Sequence, residues 1–341
     1  MTRSEPSIAV HIVAWNSRTH LPSCLESLRE QDLQPQSILI VDNASVDGTV
    51  EWLREEWPQV HLLRNTRNIG FGRAHNQALR IGKQQYVLIL NPDVVLTPGW
   101  IRQAIVWMDD HPETGSLGGL LKRFTYSSEE LKTVQFSDIV DTAGLQGFRN
   151  RHFVDRGAGQ LDRGQYDQPE QVFGISGACL LARRSALESI RWKNEFFDED
   201  FFAYKEDIDL AWRLKRQGWE SWFLPGLIGY HHRHIQGSDY RATRAIAHHH
   251  RSRDIMIAGY SYRNHWLLLF KHETASTWLR DGAWILFYEG KKFLFILFRQ
   301  PKNIGVLLLA LRLMPRMRRK ADMMNHQAKR TVLQTRVWFI R

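Results

Sequence analysis

The sequence predicts an α/β protein: a Rossmann-like mixed, mostly parallel sheet flanked by helices, with a helical C-terminal extension that is both basic and apolar. Three observations carry that expectation. Strand-like and helix-like segments alternate over residues 8–109. Asn and Asp recur where the strands end. The cationic excess of a chain with net charge +10 falls late, at Arg312, Arg316, Arg318, Arg319, Lys320, Lys329, Arg330, Arg336 and Arg341.

Taken in order, a strand is expected at 8–14, a helix at 21–31, a strand at 37–41, a helix at 49–56 and a short strand at 60–64. A helix from about 73 to 82, a strand at 86–90 and a helix at 100–109 follow. This βα alternation implies parallel strands whose ligands sit beyond their carboxyl ends. Asn16 follows the first strand, Asp42 and Asn43 end the second, Asn65 and Asn68 follow the third, and Asn91 and Asp93 follow the fourth. Each alone suits a turn or cap. Four such ends on one sheet edge make a more specific signal. Residues 124–171 are poorly patterned, and their Gly, Asp and Arg content suggests long loops.

Further on, the aromatic run Phe201-Phe202-Ala203-Tyr204 leads into Lys205-Glu206-Asp207-Ile208-Asp209, which Leu210 and Leu214 continue as a helix. A helix N-terminus stabilises anions, which accounts for an acidic first turn by itself. Combined with Asn91-Pro92-Asp93 behind an apolar strand, the cluster points to a base and a metal site.

With 43% hydrophobic residues, 341 residues can bury a substantial core, as one domain with an appendage or as two. Cys24 and Cys179 offer neither a disulfide framework nor a zinc motif, which fits a reducing compartment. Residues 1–7 lack the features of a secretory signal. The late apolar clusters are interrupted at Glu289, Lys291 and Lys292 and are shorter than the roughly 20 residues a spanning helix needs. They suit a helix lying in an anionic membrane interface or helices packed on the main domain, and opposite faces can do both. Nucleic acid would explain only the basic tail, and no nucleic-acid partner is expected. A dinucleotide-dependent oxidoreductase is disfavoured because Ala14-Trp15-Asn16-Ser17, not Gly-x-Gly-x-x-Gly, follows the first strand.

Five segments carry a family resemblance: Val41-Asp42-Asn43-Ala44-Ser45-Val46-Asp47-Gly48-Thr49, Asn65-Thr66-Arg67-Asn68-Ile69-Gly70-Phe71-Gly72, Leu90-Asn91-Pro92-Asp93, Ser176-Gly177-Ala178-Cys179-Leu180, and residues 197–213. In order and spacing they resemble the family 2 glycosyltransferases, more narrowly the bacterial rhamnosyltransferase-like branch. The resemblance implies a GT-A domain over residues 1–235 and a helical extension over 236–341. It also implies inverting transfer of one sugar, L-rhamnose for this branch, from a nucleotide diphosphate donor to a lipid-linked or polysaccharide hydroxyl. The absence of a Gln-x-x-Arg-Trp pattern after the base suggests one sugar per encounter.

By the same resemblance Asp207 is the catalytic base, with Glu206 as runner-up, and the neighbouring acids Glu206 and Asp209 should raise its proton affinity. Asp93 stands where the family binds Mg²⁺ or Mn²⁺, and Asn91 replaces the motif's first acid, so a weak site shared with the donor diphosphate is expected. Asp42 matches the nucleobase contact, favouring dTDP or UDP donors. Asn16, Asn43, Asn68, Gly70 and Asn91 are expected to complete the donor site, Asp47 to shape its turn, and Asn76 stays open. In Tyr230-His231-His232-Arg233-His234, after a Pro225 loop, His232 is favoured as a metal ligand, with His231 and His234 as alternatives. Arg263, in Tyr262-Arg263-Asn264, either meets phosphate or pins the tail. Residues His248, His249 and His250 should be exposed or acceptor-facing, and the acceptor should enter through residues 124–171. The protein is thus expected to be cytoplasmic and peripheral to the membrane. The alternative is a catalytically silent nucleotide-sugar or anionic-lipid binding protein of the same fold.

Overall fold

The computed structural model describes residues 7–126, 134–232, 244–301 and 304–340, without the side chains of 244–257. The chain begins as predicted, with β1 (Ile8–Ala14), α1 (Leu21–Arg29), β2 (Ser37–Asp42), α2 (Thr49–Glu56), β3 (His61–Arg64), α3 (Phe71–Ile81) and β4 (Tyr86–Leu90); a short strand that was not predicted, β5 (Val94–Leu96), precedes the expected α4 (Trp100–Asp110). All of β4, Tyr-Val-Leu-Ile-Leu, is buried, as a central strand covered on both faces must be. β1 to β4 pair in parallel in the order β3-β2-β1-β4.

Beyond α4 the sheet becomes mixed. β6 (Thr114–Tyr126), β7 (Val134–Thr142), β8 (Leu145–Phe148), β9 (Phe153–Asp155), β10 (Glu170–Gln171), β11 (Cys179–Arg183), α5 (Arg184–Ser189), α6 (Glu206–Arg216) and β12 (Glu220–His231) follow. β11 runs antiparallel to β4 and carries the sheet on to β6 and β12, giving ten strands in all among the described residues. One layer of core, around Leu21, Leu25, Trp100 and Ile101, covers one face. A second, around Leu79, Leu187, Leu210 and Leu214, covers the other.

Two expectations are corrected. Residues 124–171 hold more strand than expected, although 156–169 is a long connection without a named strand: β7 buries only its last three residues, so its apolar pattern is faint, and β8 and β9 belong to a separate small sheet. Pro225 stands within β12, at a register shift between Leu224 and Ile228, rather than in a loop. A bulge is where a strand tolerates proline.

The extension comprises α7 (Arg244–His272), α8 (Ala275–Arg299), α9 (Ile304–Gln327), a 3₁₀ turn and β13 (Phe339–Ile340). β13 pairs in parallel with β8, placing Phe339 opposite Gly147. Among the described residues no helix is long and apolar enough to cross a membrane. The expected domain boundary at 235/236, His234, and the side chains of His248, His249 and His250 lie outside what is described.

The junction between extension and sheet domain is ionic. Lys271 of α7 lies 2.7 Å from both Asp198 and Asp209, and Lys320 of α9 meets Asp198, Asp200 and Glu195. His272 adds a contact to Asp209 at 2.8 Å, and Arg213 holds the same carboxylate's other oxygen. Burial opposes ionisation of Asp198, but Lys271 and Lys320 outweigh it and hold its pKa at about 2.

Candidate active site

The strand register assembles the site edge. Ala14 stands opposite Asp42, and Asp42 opposite Arg64, so the turns after β1, β2 and β3 emerge together. Leu90, at the end of β4, pairs with Cys179 at the start of β11, which brings Ser176-Gly177-Ala178 to the same edge.

The carboxamides at this edge bind the turns to one another. Asn16, with φ 52°, accepts the Val46 N–H at 2.9 Å, and its own N–H donates to Ser45 Oγ at 2.8 Å. Asn43 donates to the Gly70 carbonyl and accepts from Asn65, while Asn68 accepts the Gly70 N–H. Asp47 accepts from Arg18 N–H and from Thr49, fixing the start of α2. Asp42 is fully buried. Its Oδ2 accepts the Ser45 N–H at 3.1 Å, and its Oδ1 has no hydrogen-bond partner among the described residues. An unanswered buried acceptor is costly, and a ligand N–H would satisfy it.

Asp93 and a histidine form the second part. His231, the last residue of β12, places Nε2 3.3 Å from Asp93 Oδ1 and Nδ1 2.8 Å from Asp141 Oδ2. Burial opposes its charging, yet Asp93 and Asp141 raise its pKa to about 10. Asp93 is correspondingly held below the usual carboxylate range by that imidazolium, against the opposing effect of burial. His232 instead turns its ring toward His20, Phe124 and Tyr126, at centroid distances of 4.6, 5.4 and 5.1 Å, and its N–H donates to the Asp93 carbonyl. Of the two described histidines, His231 is the one facing the Asp93 carboxylate. Asp141, its other partner, carried no sequence signal.

These residues fit a divalent cation. A cation would have to displace the Nε2 proton of the His231 imidazolium; with Nδ1–H donated to Asp141, Nε2 would then offer its lone pair beside Asp93, the carboxylate–histidine arrangement common behind bound metals. Among the described residues no three His, Cys, Asp or Glu side chains are grouped to hold a metal. Substrate oxygens and water would have to complete the shell.

The acidic cluster forms the third part. Asp207, in the first turn of α6, accepts the Gly177 N–H through Oδ2 at 3.2 Å and the Ile208 N–H through Oδ1 at 2.8 Å. The next residue, Ala178, accepts the Asn91 N–H, so backbone links Asp207 to the turn bearing Asp93. Burial raises the Asp207 pKa, with the Gly177 hydrogen bond opposing. Glu206 is 7% exposed, and burial, then the Asp207 charge, pushes its pKa up to about 8. Its Oε2 has no hydrogen-bond partner among the described residues.

A strained loop leads into Asp207. Phe202, Tyr204 and Lys205 have φ of 59°, 70° and 69°, each costing on the order of 1–3 kcal/mol for a residue with a side chain. Asn264 of α7 holds this shape by donating Nδ2 to the carbonyls of Phe201, Ala203 and Tyr204 at 2.7–2.8 Å. Arg263 donates to the carbonyls of Asp200 and Phe201, so it pins the loop. Asn76 does related work, accepting the N–H groups of Phe196 and Phe197. Gly70, at φ +87°, lies where a Cβ would be 2.4 Å from the Phe202 carbonyl oxygen, and the Phe71 N–H donates to that oxygen. The Gly70 turn and the loop at residues 201–205 are thus one packed unit.

Comparison with known proteins agrees with this architecture. The family model described as glycosyl transferase family 2 matches residues 9–191. The N-acetylglucosaminyl-diphospho-decaprenol L-rhamnosyltransferase of Mycobacterium tuberculosis is 31% identical over 272 residues, covering 76% of this chain and 85% of the relative. Among solved structures, S. aureus TarS 1-349 superposes with a TM-score of 0.54 at 14% identity, covering 91% of this chain and 80% of the other. A mannosyltransferase from Pyrobaculum calidifontis, in complex with GDP-Man and Mn²⁺, gives 0.51 at 16% identity over 98% and 87%. Fold and sequence therefore define a glycosyltransferase with the GT-A architecture. The chain belongs to glycosyl transferase family 2, in its rhamnosyltransferase-like branch.

Proposed function

We propose that the protein is an inverting, non-processive transferase that moves one sugar, L-rhamnose, from a dTDP- or UDP-linked donor to a hydroxyl of a lipid-linked acceptor in cell-envelope glycan synthesis. The observation that carries the reading is Asp207: a buried carboxylate of raised proton affinity, tied by backbone to the turn that presents Asp93. The acceptor oxygen attacks the anomeric carbon, its proton passes to Asp207, and the bond to the diphosphate breaks with its electron pair leaving on phosphate oxygen. Mg²⁺ or Mn²⁺, when bound, neutralises charge on that leaving diphosphate. Asp93 and His231 are the residues that would hold it. Asp42 Oδ1 would accept the imide N–H of uracil or thymine. Support for the sugar and the acceptor comes from the mycobacterial relative's name.

Attachment to an anionic membrane surface is part of the proposal. α8 turns Leu279, Leu286, Phe287, Leu294, Phe295 and Phe298 to solvent, Leu279 being 89% and Phe298 76% exposed. Arg280, Lys291, Arg299 and Arg312 are exposed among these and the neighbouring Leu308, Leu309 and Leu311 of α9. Apolar residues ringed by cations match the chemistry of an anionic bilayer surface.

The test is donor hydrolysis and transfer with dTDP-, UDP- and GDP-sugars, with and without Mg²⁺ or Mn²⁺. Metal-dependent turnover of one thymidine or uridine donor, lost in Asp207→Asn while donor binding persists, is expected. Binding of no donor under any condition would sink the reading.

A further inference from the structure

The Asp207 side chain is tied to the rest of the fold at one point. Its Oδ1 accepts from Ile208, the next residue, so among the described residues the Gly177 N–H on Oδ2, at 3.2 Å, is the only hydrogen bond joining this carboxylate to another element. Misplacing a reacting group by about 1 Å can cost about a hundredfold in rate. Whatever holds Gly177 therefore aims the base.

Two neighbours hold that residue. On one flank the Ala178 carbonyl accepts the Asn91 N–H at 2.8 Å. On the other stands the ring of Phe71, the first residue of α3. A Cβ built on Gly177 would lie 3.3 Å from Phe71 Cζ, 3.5 Å from its Cε1 and 3.6 Å from Asp207 Cβ, so ring, glycine and base are in close contact. Gly177 is not among the residues with a left-handed backbone, so it is the lack of space, not φ, that calls for glycine here.

The ring itself is wedged. It meets His75 edge-on at a centroid distance of 4.3 Å and Phe197 at 5.8 Å, and it packs on the core layer around Leu79 and Leu210. His75 is fully buried, and neither of its ring nitrogens has a hydrogen-bond partner among the described residues. Burial keeps it neutral, so it serves as one more packing surface. The backbone of Phe71 makes a separate contact: its N–H donates at 2.7 Å to the Phe202 carbonyl, in the strained loop leading into Asp207. One residue thus touches the loop before the base with its backbone and the donor to the base with its ring.

We propose that Phe71 is a positioning residue for the base: its ring keeps the Gly177 N–H on Asp207 Oδ2 while its own N–H holds the Phe202 loop beside it. The proposal rests on the reading of Asp207 as the base and names a residue outside the acidic cluster that sets how the base is aimed.

The test is an NMR titration of the full chain carrying a carbon-13 label in its aspartate carboxyls, with the Asp207 resonance identified by its loss in Asp207→Asn. A donated N–H favours the ionised carboxyl, so loosening it raises the midpoint. The other charged groups facing Asp207 are Glu206 on α6, Lys205 in the loop and Asp155 at the end of β9, and all stay unaltered. Phe71→Leu keeps an apolar side chain but lacks Cζ and Cε1, and it should move the midpoint up by about 0.5–1 in pH, the scale of one hydrogen bond. Gly177→Ala, which drives a Cβ against the intact ring, should also move it up. In the double variant the shorter side chain makes room for the new methyl, so the shift should fall below the sum of the two. An unchanged midpoint in Phe71→Leu overturns the proposal, since a role in stability alone would lower the melting temperature and leave the midpoint in place. A double variant whose shift equals the sum overturns it as well. If Phe71→Leu does not fold, an unchanged midpoint in Gly177→Ala overturns it instead. No substrate enters this measurement, so its failure leaves the Asp207→Asn kinetic test untouched, and failure of that test leaves the titration result standing.

Discussion

At the residue scale the site is a set of carboxylates whose environments differ. Asp93 faces a cation and ionises readily; Glu206 is buried beside Asp207 and resists ionisation. Replacing Asp207 by Asn should lower kcat about 10²- to 10⁴-fold with little change in donor affinity, the range for a lost general base, measured by steady-state kinetics. The Glu206 pKa rises from 4.5 to about 8 on folding. Between those values the folded chain keeps a proton that the unfolded chain has released, so this group's contribution to stability falls as pH rises. The melting temperature should therefore drop from pH 5 to pH 8, and Glu206→Gln should flatten that slope. An unchanged slope in the variant would assign it elsewhere. Asp42, Asp93 and Asp207 were legible because each follows a strand end or opens a helix pattern. Asp141 was not, because its meeting with His231 depends on β6 pairing with both β7 and β12.

At the scale of elements, the turn at Gly70 and the loop at residues 201–205 depend on each other. Gly70→Ala puts a Cβ against the Phe202 carbonyl at a left-handed backbone position. It should cost about 1–3 kcal/mol in urea unfolding and reduce activity beyond what that loss of stability explains. The ionic junction gives a larger effect. Lys320→Ala leaves Asp198, Asp200 and Glu195 with one cation fewer, and breaking a buried pair this way costs about 3–5 kcal/mol. The loss should be greatest near neutral pH and shrink as pH falls through the Asp198 pKa of about 2, where that carboxylate no longer needs a partner. The βα half was legible because each buried strand is a continuous apolar run. β7 to β10 were not, since short or half-exposed strands leave little periodicity to read.

Across the whole molecule, the extension turns one side to the sheet domain and the other to solvent. Lys271, Lys320, Arg263 and Asn264 face residues 195–209, while Leu286, Phe287 and Phe298 face outward. The sequence left packing and membrane contact as alternatives because interrupted apolar clusters suit either. The protein should cosediment with vesicles containing anionic phospholipid at low salt and release as salt rises. Leu286→Glu, Phe287→Glu and Phe298→Glu together should abolish cosedimentation without shifting the melting temperature by more than a few degrees. Wild-type protein that ignores such vesicles at low salt would refute the membrane role.

The pairing of β13 with β8 joins residues almost 200 positions apart, Phe339 with Gly147. On a translating ribosome adding about 5–20 residues per second, β8 and β9 would wait roughly 10–40 s for their third strand. Until then Arg151 lacks the Phe339 ring, 4.4 Å away in the finished fold, and before residue 273 it lacks its ionic partners Glu273 and Asp281 as well. Nascent chains stalled before residue 273 should therefore be cut by protease near residues 145–155, and the finished protein should resist.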